Sequence, residues 1–143
     1  FFVENYKEKA EMNRLVHWFE VIFKKEVFDP IIYEKVYSRI VENITPNSEN
    51  IRAALQNLDF HIQYFNYLLN NKNYFIKDEL TYLDFLAAAN FSVLDYLGLL
   101  NLKNHDNIRE WYFKLKSRPS FRTLLKDQIV GLNPHENYKN MDI

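Results

Sequence analysis

Leu80-Thr81-Tyr82-Leu83-Asp84-Phe85 carries two interlocking helix-start devices and runs straight into an almost wholly apolar segment, Leu86 to Leu97. Thr81 stands at the N-cap and Asp84 three residues on, so hydroxyl and carboxylate can each take the other's backbone N–H in a capping box. Leu80 and Phe85 flank the box at the spacing of a hydrophobic staple. The helix that follows, Tyr82 to Leu97, is apolar around most of its circumference, with Asp84, Ser92 and Asp95 on one sector and Asn90 apart. Such a helix belongs at the centre of a bundle. Gly98 then stands where a helix end favours a left-handed residue.

The box and the positive end of the helix together account for a carboxylate at Asp84, which gives that residue a structural rather than a catalytic reading. Asp95 has no such excuse. Near a helix C-terminus the dipole disfavours negative charge, so a basic or hydrogen-bonding partner is expected, and Arg109, Arg118 and Arg122 are the candidates downstream.

Outward from this centre the chain reads as helices. Met12, Leu15, Phe19, Ile22 and Phe23 recur at three- and four-residue spacing and predict a long helix from Glu4 to about Val27. Asp29-Pro30 is expected to interrupt it, with Pro30 opening a second segment, Ile31 to Val41. Residues 43–47 form a loop, and Ser48 is expected to cap a third helix, Glu49 to about Leu69, on a stripe of Ile51, Ala54, Leu55, Leu58, Ile62, Phe65 and Leu69. After the capped helix, a fifth runs from about Asp106 to Ser117 and a sixth from Pro119 to near Gln128. The expectation is an all-α bundle of about six helices over residues 1–129, followed by an irregular tail, residues 130–143.

Composition narrows the function. Two glycines, far apart at Gly98 and Gly131, exclude a glycine-rich phosphate loop. With no cysteine there is no disulfide framework, no thiolate metal site and no Cys–His nucleophile. Eighteen basic residues against nineteen acidic leave a net charge of −1, without the basic surplus that nucleic acid requires. The longest apolar run is broken by polar residues and suits a buried helix, not a membrane span. His17, His61, His105 and His135 show no ligand spacing, so no metal is expected, and His61 has no partner visible in the sequence. No secretory signal is visible, and a reducing cytoplasm is the expected compartment.

Two segments carry a family resemblance. "YFIKDELTYLDFLAAA" (74–89) resembles the Leu-Thr-x-Ala-Asp-Phe segment in the all-helical C-terminal domain of cytosolic glutathione transferases, and "IREWYFKLKSRPSFRTLLKD" (108–127) resembles the Trp-Tyr…Ser-Arg-Pro-Ser-Phe segment of bacterial members. Lys77, where the family usually has glycine, and Leu83, where it often has alanine, depart from the pattern. The resemblance implies a preceding thioredoxin-like domain that binds glutathione and supplies the catalytic Tyr, Ser or Cys, so no residue here is expected to be catalytic. It also implies a homodimer, and a helical wall for the cleft that holds the electrophile. Tyr6, Asn13 and His17, away from the core face of the first helix, are the substrate-binding candidates.

The tail gives a second reading. "VGLNPHENYKNMDI" (130–143) resembles the tail of bacterial glutathione transferase-like proteins, among them one that binds the division protein FtsZ and is not thought to use glutathione. On that resemblance the fold is a non-catalytic scaffold, and Tyr138, Asp142 and Ile143 are the protein-binding candidates.

Overall fold

The computed structural model describes residues 5–140. Among the described residues there are five helices, and the only extended pairing is an isolated bridge between Ile129 and Leu132. The first helix, α1, spans residues 6–40 as contiguous segments: Tyr6–His17, the π-helical Trp18–Phe28, Asp29–Ile32, the π-helical Tyr33–Tyr37, and Ser38–Ile40. Then come α2 (Ser48–Leu68), α3 (Tyr82–Tyr96), α4 (Asp106–Lys116) and α5 (Pro119–Leu125).

The interruption expected at Asp29-Pro30 does not occur, which is why there are five helices and not six. Phe28 and Asp29 keep right-handed helical angles, and the Asp29 N–H reaches back to Lys24 in the wide π register. Proline in a helix leaves the carbonyl four residues earlier without its donor. In α register that carbonyl would be Glu26's, and Asn57 of α2 donates its side-chain N–H to it at 3.1 Å. The mixed helix also explains the core stripe. Leu15, Phe19, Phe23, Val27 and Ile31 are all essentially inaccessible and lie four residues apart. A four-residue step overshoots an α-turn of about 3.6 residues, whereas it falls short of the wider π turn, so alternating the two keeps the stripe on one face.

The cap of α2 is Asn47 and not Ser48: its Oδ1 accepts the N–H groups of Glu49 at 3.0 Å and Asn50 at 3.1 Å. Glu34, buried in α1, accepts the Asn47 N–H at 2.6 Å and so ties the two helices at this corner. On α2 the buried stripe is Ala54, Leu58, Ile62, Phe65 and Leu69.

The capped helix α3 is central, packing on α1 and α4. Leu83, Ala87, Ala88, Phe91 and Leu94 are buried, Leu80 packs against the core, and the capping box forms. Phe19 stacks on Phe65 with ring centroids 4.7 Å apart, and Phe75 and Phe91 meet Trp111 edge-on at 4.9 and 5.8 Å. Such tilted and edge-on pairs add directional preference to the area they bury. No helix among the described residues is long and apolar enough to cross a membrane.

Candidate functional site

Asp84 does more than cap. Its Oδ2 accepts the Thr81 N–H at 2.9 Å and the Thr81 hydroxyl at 3.2 Å, while Oδ1 accepts the Phe75 N–H at 3.1 Å and the Trp111 indole N–H at 2.9 Å. The carboxylate therefore joins the 70–80 connector, the start of α3 and the middle of α4. Burial pushes its pKa up, against the pull of these four donors. With every acceptor position directed at the protein, it has the structural role its spacing implied. The sequence signalled the box but not the indole.

Asp95 has the basic partner that its position demands, but it is Lys116 rather than any of the three arginines. Lys116 Nζ lies 2.8 Å from Asp95 Oδ2, and the Tyr112 hydroxyl donates to the same oxygen at 2.8 Å. Lys116 is wholly buried although it ends an apparently polar helix turn. Its ammonium is ringed by Tyr112, Phe113 and Tyr138, with centroids 5.5, 5.9 and 5.5 Å away. Asp95 could not reveal this from spacing, because the partner lies on another helix.

The tail is docked onto this ion pair. His135 donates its N–H to the Tyr96 carbonyl at 2.8 Å, Ile129 donates its N–H to the Tyr96 hydroxyl at 3.0 Å, and that hydroxyl donates to the Leu132 carbonyl. Tyr138 is only 3% exposed, its ring edge-on to Tyr96 at 5.2 Å. Its phenol is pushed up to about 12, by burial first and by the Asp95 charge second, with a Ser92 hydrogen bond opposing. Of the protein-binding candidates, Tyr138 is thus packed into the body, while Asp142 and Ile143 lie outside the described residues.

The substrate-binding candidates lie on the exposed face of α1. Tyr6 is 90% exposed, and Asn13 and His17 are exposed with it.

His61, unpartnered in the sequence reading, is in fact buried between two residues of α1. Trp18 donates its indole N–H to His61 Nδ1 at 2.9 Å, and His61 Nε2 lies 2.9 Å from Glu26 Oε2. Because an indole only donates, Nδ1 must be an acceptor and the neutral ring carries its proton on Nε2, facing Glu26. Both nitrogens are occupied, so the ring is not free for acid–base work. Burial lowers its pKa, and Glu26 offsets this in part. Among the described residues no three His, Asp or Glu side chains gather at metal-binding separation.

A bundle of five helices among the described residues, organised by a buried, boxed central helix whose carboxylate grips the next helix, is an all-α helical domain. The chain belongs to the glutathione S-transferase family: residues 32–128 match its C-terminal domain. It is 36% identical over 135 residues to FtsZ-localized protein A of Caulobacter vibrioides, a stretch covering 94% of this chain and 59% of that protein. The solved structure of FzlA from C. crescentus superposes with a TM-score of 0.95 at 34% identity, covering 99% of this chain and 63% of that one. A glutathione S-transferase from Rhodospirillum rubrum F11 matches with a TM-score of 0.91 at 36% identity over the same shares. The chain thus spans about three-fifths of the length of these relatives.

Proposed function

We propose that this chain is the helical half of a glutathione S-transferase-fold scaffold that works with a protein partner of the FtsZ class. The observation that carries this reading is the likeness to FtsZ-localized protein A, which extends over 94% of the chain. In this reading an N-terminal thioredoxin-like domain precedes the helices, the full-length protein is a cytoplasmic homodimer, and the C-terminal segment from Asn137 contacts the partner. Co-sedimentation of the full-length protein with FtsZ polymers tests it. Pelleting that is lost when residues 137–143 are deleted is the expected result, and a full-length protein that stays in the supernatant overturns the reading.

The second reading, a transferase conjugating glutathione to electrophiles, is favoured by the equal identity to the Rhodospirillum rubrum enzyme and by the open row of Tyr6, Asn13 and His17. The proposed N-terminal domain would then hold glutathione. Retention on glutathione-agarose together with turnover of an electrophilic aromatic substrate supports it; failure of both in the full-length protein removes it.

A further inference from the structure

A cleft of about 200 Å³ lies between the end of α3, the loop after it, α4 and the tail, lined by Asp95, Leu102, Lys103, Arg109, Phe113 and His135 among others. Its position is fixed by a close approach. Gly98 has φ +73°, and a Cβ there would lie 2.5 Å from the His135 ring, so only glycine lets the tail imidazole settle in this wall.

The charges around the cleft do not cancel. Asp95 is matched by Lys116, and Arg109 by Asp106 at 2.9 Å. Lys103 forms no ion pair and its ammonium no hydrogen bond among the described residues, which leaves one positive charge in excess. His135 adds a directed donor: its Nδ1 accepts the Asn137 N–H at 3.2 Å, so the neutral ring carries its proton on Nε2. Leu100, Leu102 and Phe113 supply apolar wall. A pocket with an apolar lining and a few convergent donors fixes a ligand by its polar end. The volume lies below the roughly 300–1,000 Å³ of drug-sized sites, too small for a tripeptide.

We propose that this cleft binds a small organic acid with an apolar body, its carboxylate held by Lys103 and His135 and its body against Leu102 and Phe113. The site adjoins the segment proposed above to meet the partner, since Asn137 is part of its lining, and Tyr6, Asn13 and His17 do not line it. Because His135 belongs to the tail while Lys103 belongs to the body, the bound acid fastens one to the other.

Benzoate is a suitable probe, with benzyl alcohol as its uncharged counterpart and a blocked glutamyl peptide for a carboxylate carried on protein. Amide resonances of the isotopically labelled protein are followed during titration. The expected result is saturable millimolar binding of benzoate that shifts Gly98, Leu102 and His135, with slower hydrogen exchange at the His135 N–H, which bonds to Tyr96. Lys103→Met, an exposed substitution that leaves the core intact, is expected to weaken benzoate about tenfold, the loss of one charge-assisted contact. His135→Gln, which keeps a donor, should weaken it less. The proposal is overturned if benzyl alcohol binds as well as benzoate, if Lys103→Met leaves affinity unchanged, if no titration saturates, or if the glutamyl peptide binds more tightly than benzoate.

Discussion

Asp84 shows how one side chain can be half legible. Its capping role follows from the three-residue spacing to Thr81, but the hydrogen bond to Trp111 depends on a helix that begins 22 residues later. The two substitutions should therefore separate. Thr81→Ala is expected to cost about 1 kcal/mol, the usual value of a cap. Asp84→Asn should cost more, about 3 kcal/mol, because an amide offers one acceptor oxygen where four donors converge on two. Urea unfolding checks both, and equal midpoints would remove the indole from the account. His61 makes a prediction in pH. Burial holds its folded-state pKa below 6.5, so the folded protein favours the neutral ring. Its stabilising contribution is present above pH 6.5 and lost as pH falls through the lowered value. Protonation puts a hydrogen on Nδ1 against the Trp18 indole N–H. His61→Gln, which can accept from Trp18 and donate to Glu26, should flatten this part of the stability profile between neutral and mildly acid pH.

At the scale of the element, α1 is where local propensity misleads. Asp29-Pro30 reads as a stop, because proline normally costs a helix interior about 3 kcal/mol. That cost is offset by an amide on the neighbouring helix: Asn57 donates to the Glu26 carbonyl, the one that a residue-30 N–H would serve in α register. Asn57→Ala should destabilise by about 1 kcal/mol. In a Pro30→Ala background the same change should cost less, since residue 30 then has an N–H of its own. A double-mutant cycle by urea unfolding measures the difference, and additive effects would show that Asn57 does not support the proline. The capped helix α3 behaved in the opposite way. Its start, its end before Gly98 and its central position all follow from local pattern, because capping is a short-range device and an all-round apolar helix has nowhere else to go.

At the scale of the whole molecule, the tail is attached to the bundle by a buried phenol over a buried ion pair. Tyr138 prefers its protonated form in the folded state, so its contribution is intact below pH 10 and fades as pH rises toward about 12. Alkaline titration should show Tyr138 ionising late, alongside Tyr112, which burial and the Asp95 charge also raise well above the usual phenol range, together with increased proteolytic sensitivity of residues 129–140. Tyr138→Phe removes the Tyr138 share of the late absorbance, leaving that of Tyr112, and postpones release of the tail. If the proposed contact with a protein partner runs through this segment, alkaline pH loosens the same residues that would make it.

The sequence by itself determined the fold class, the central helix and the helical family, because helical periodicity, caps and short motifs are written within a few neighbouring residues. It also required a partner for Asp95, since a carboxylate at a helix C-terminus must be compensated. Which partner was a tertiary decision: Lys116 and Tyr112 meet Asp95, and Tyr138 meets Lys116, only once α3, α4 and the tail are packed together. The same holds for Trp18 and His61, 43 residues apart, and for Asn57 beneath Pro30. Contacts between distant segments depend on which faces the packing brings together, and spacing along the chain does not encode that.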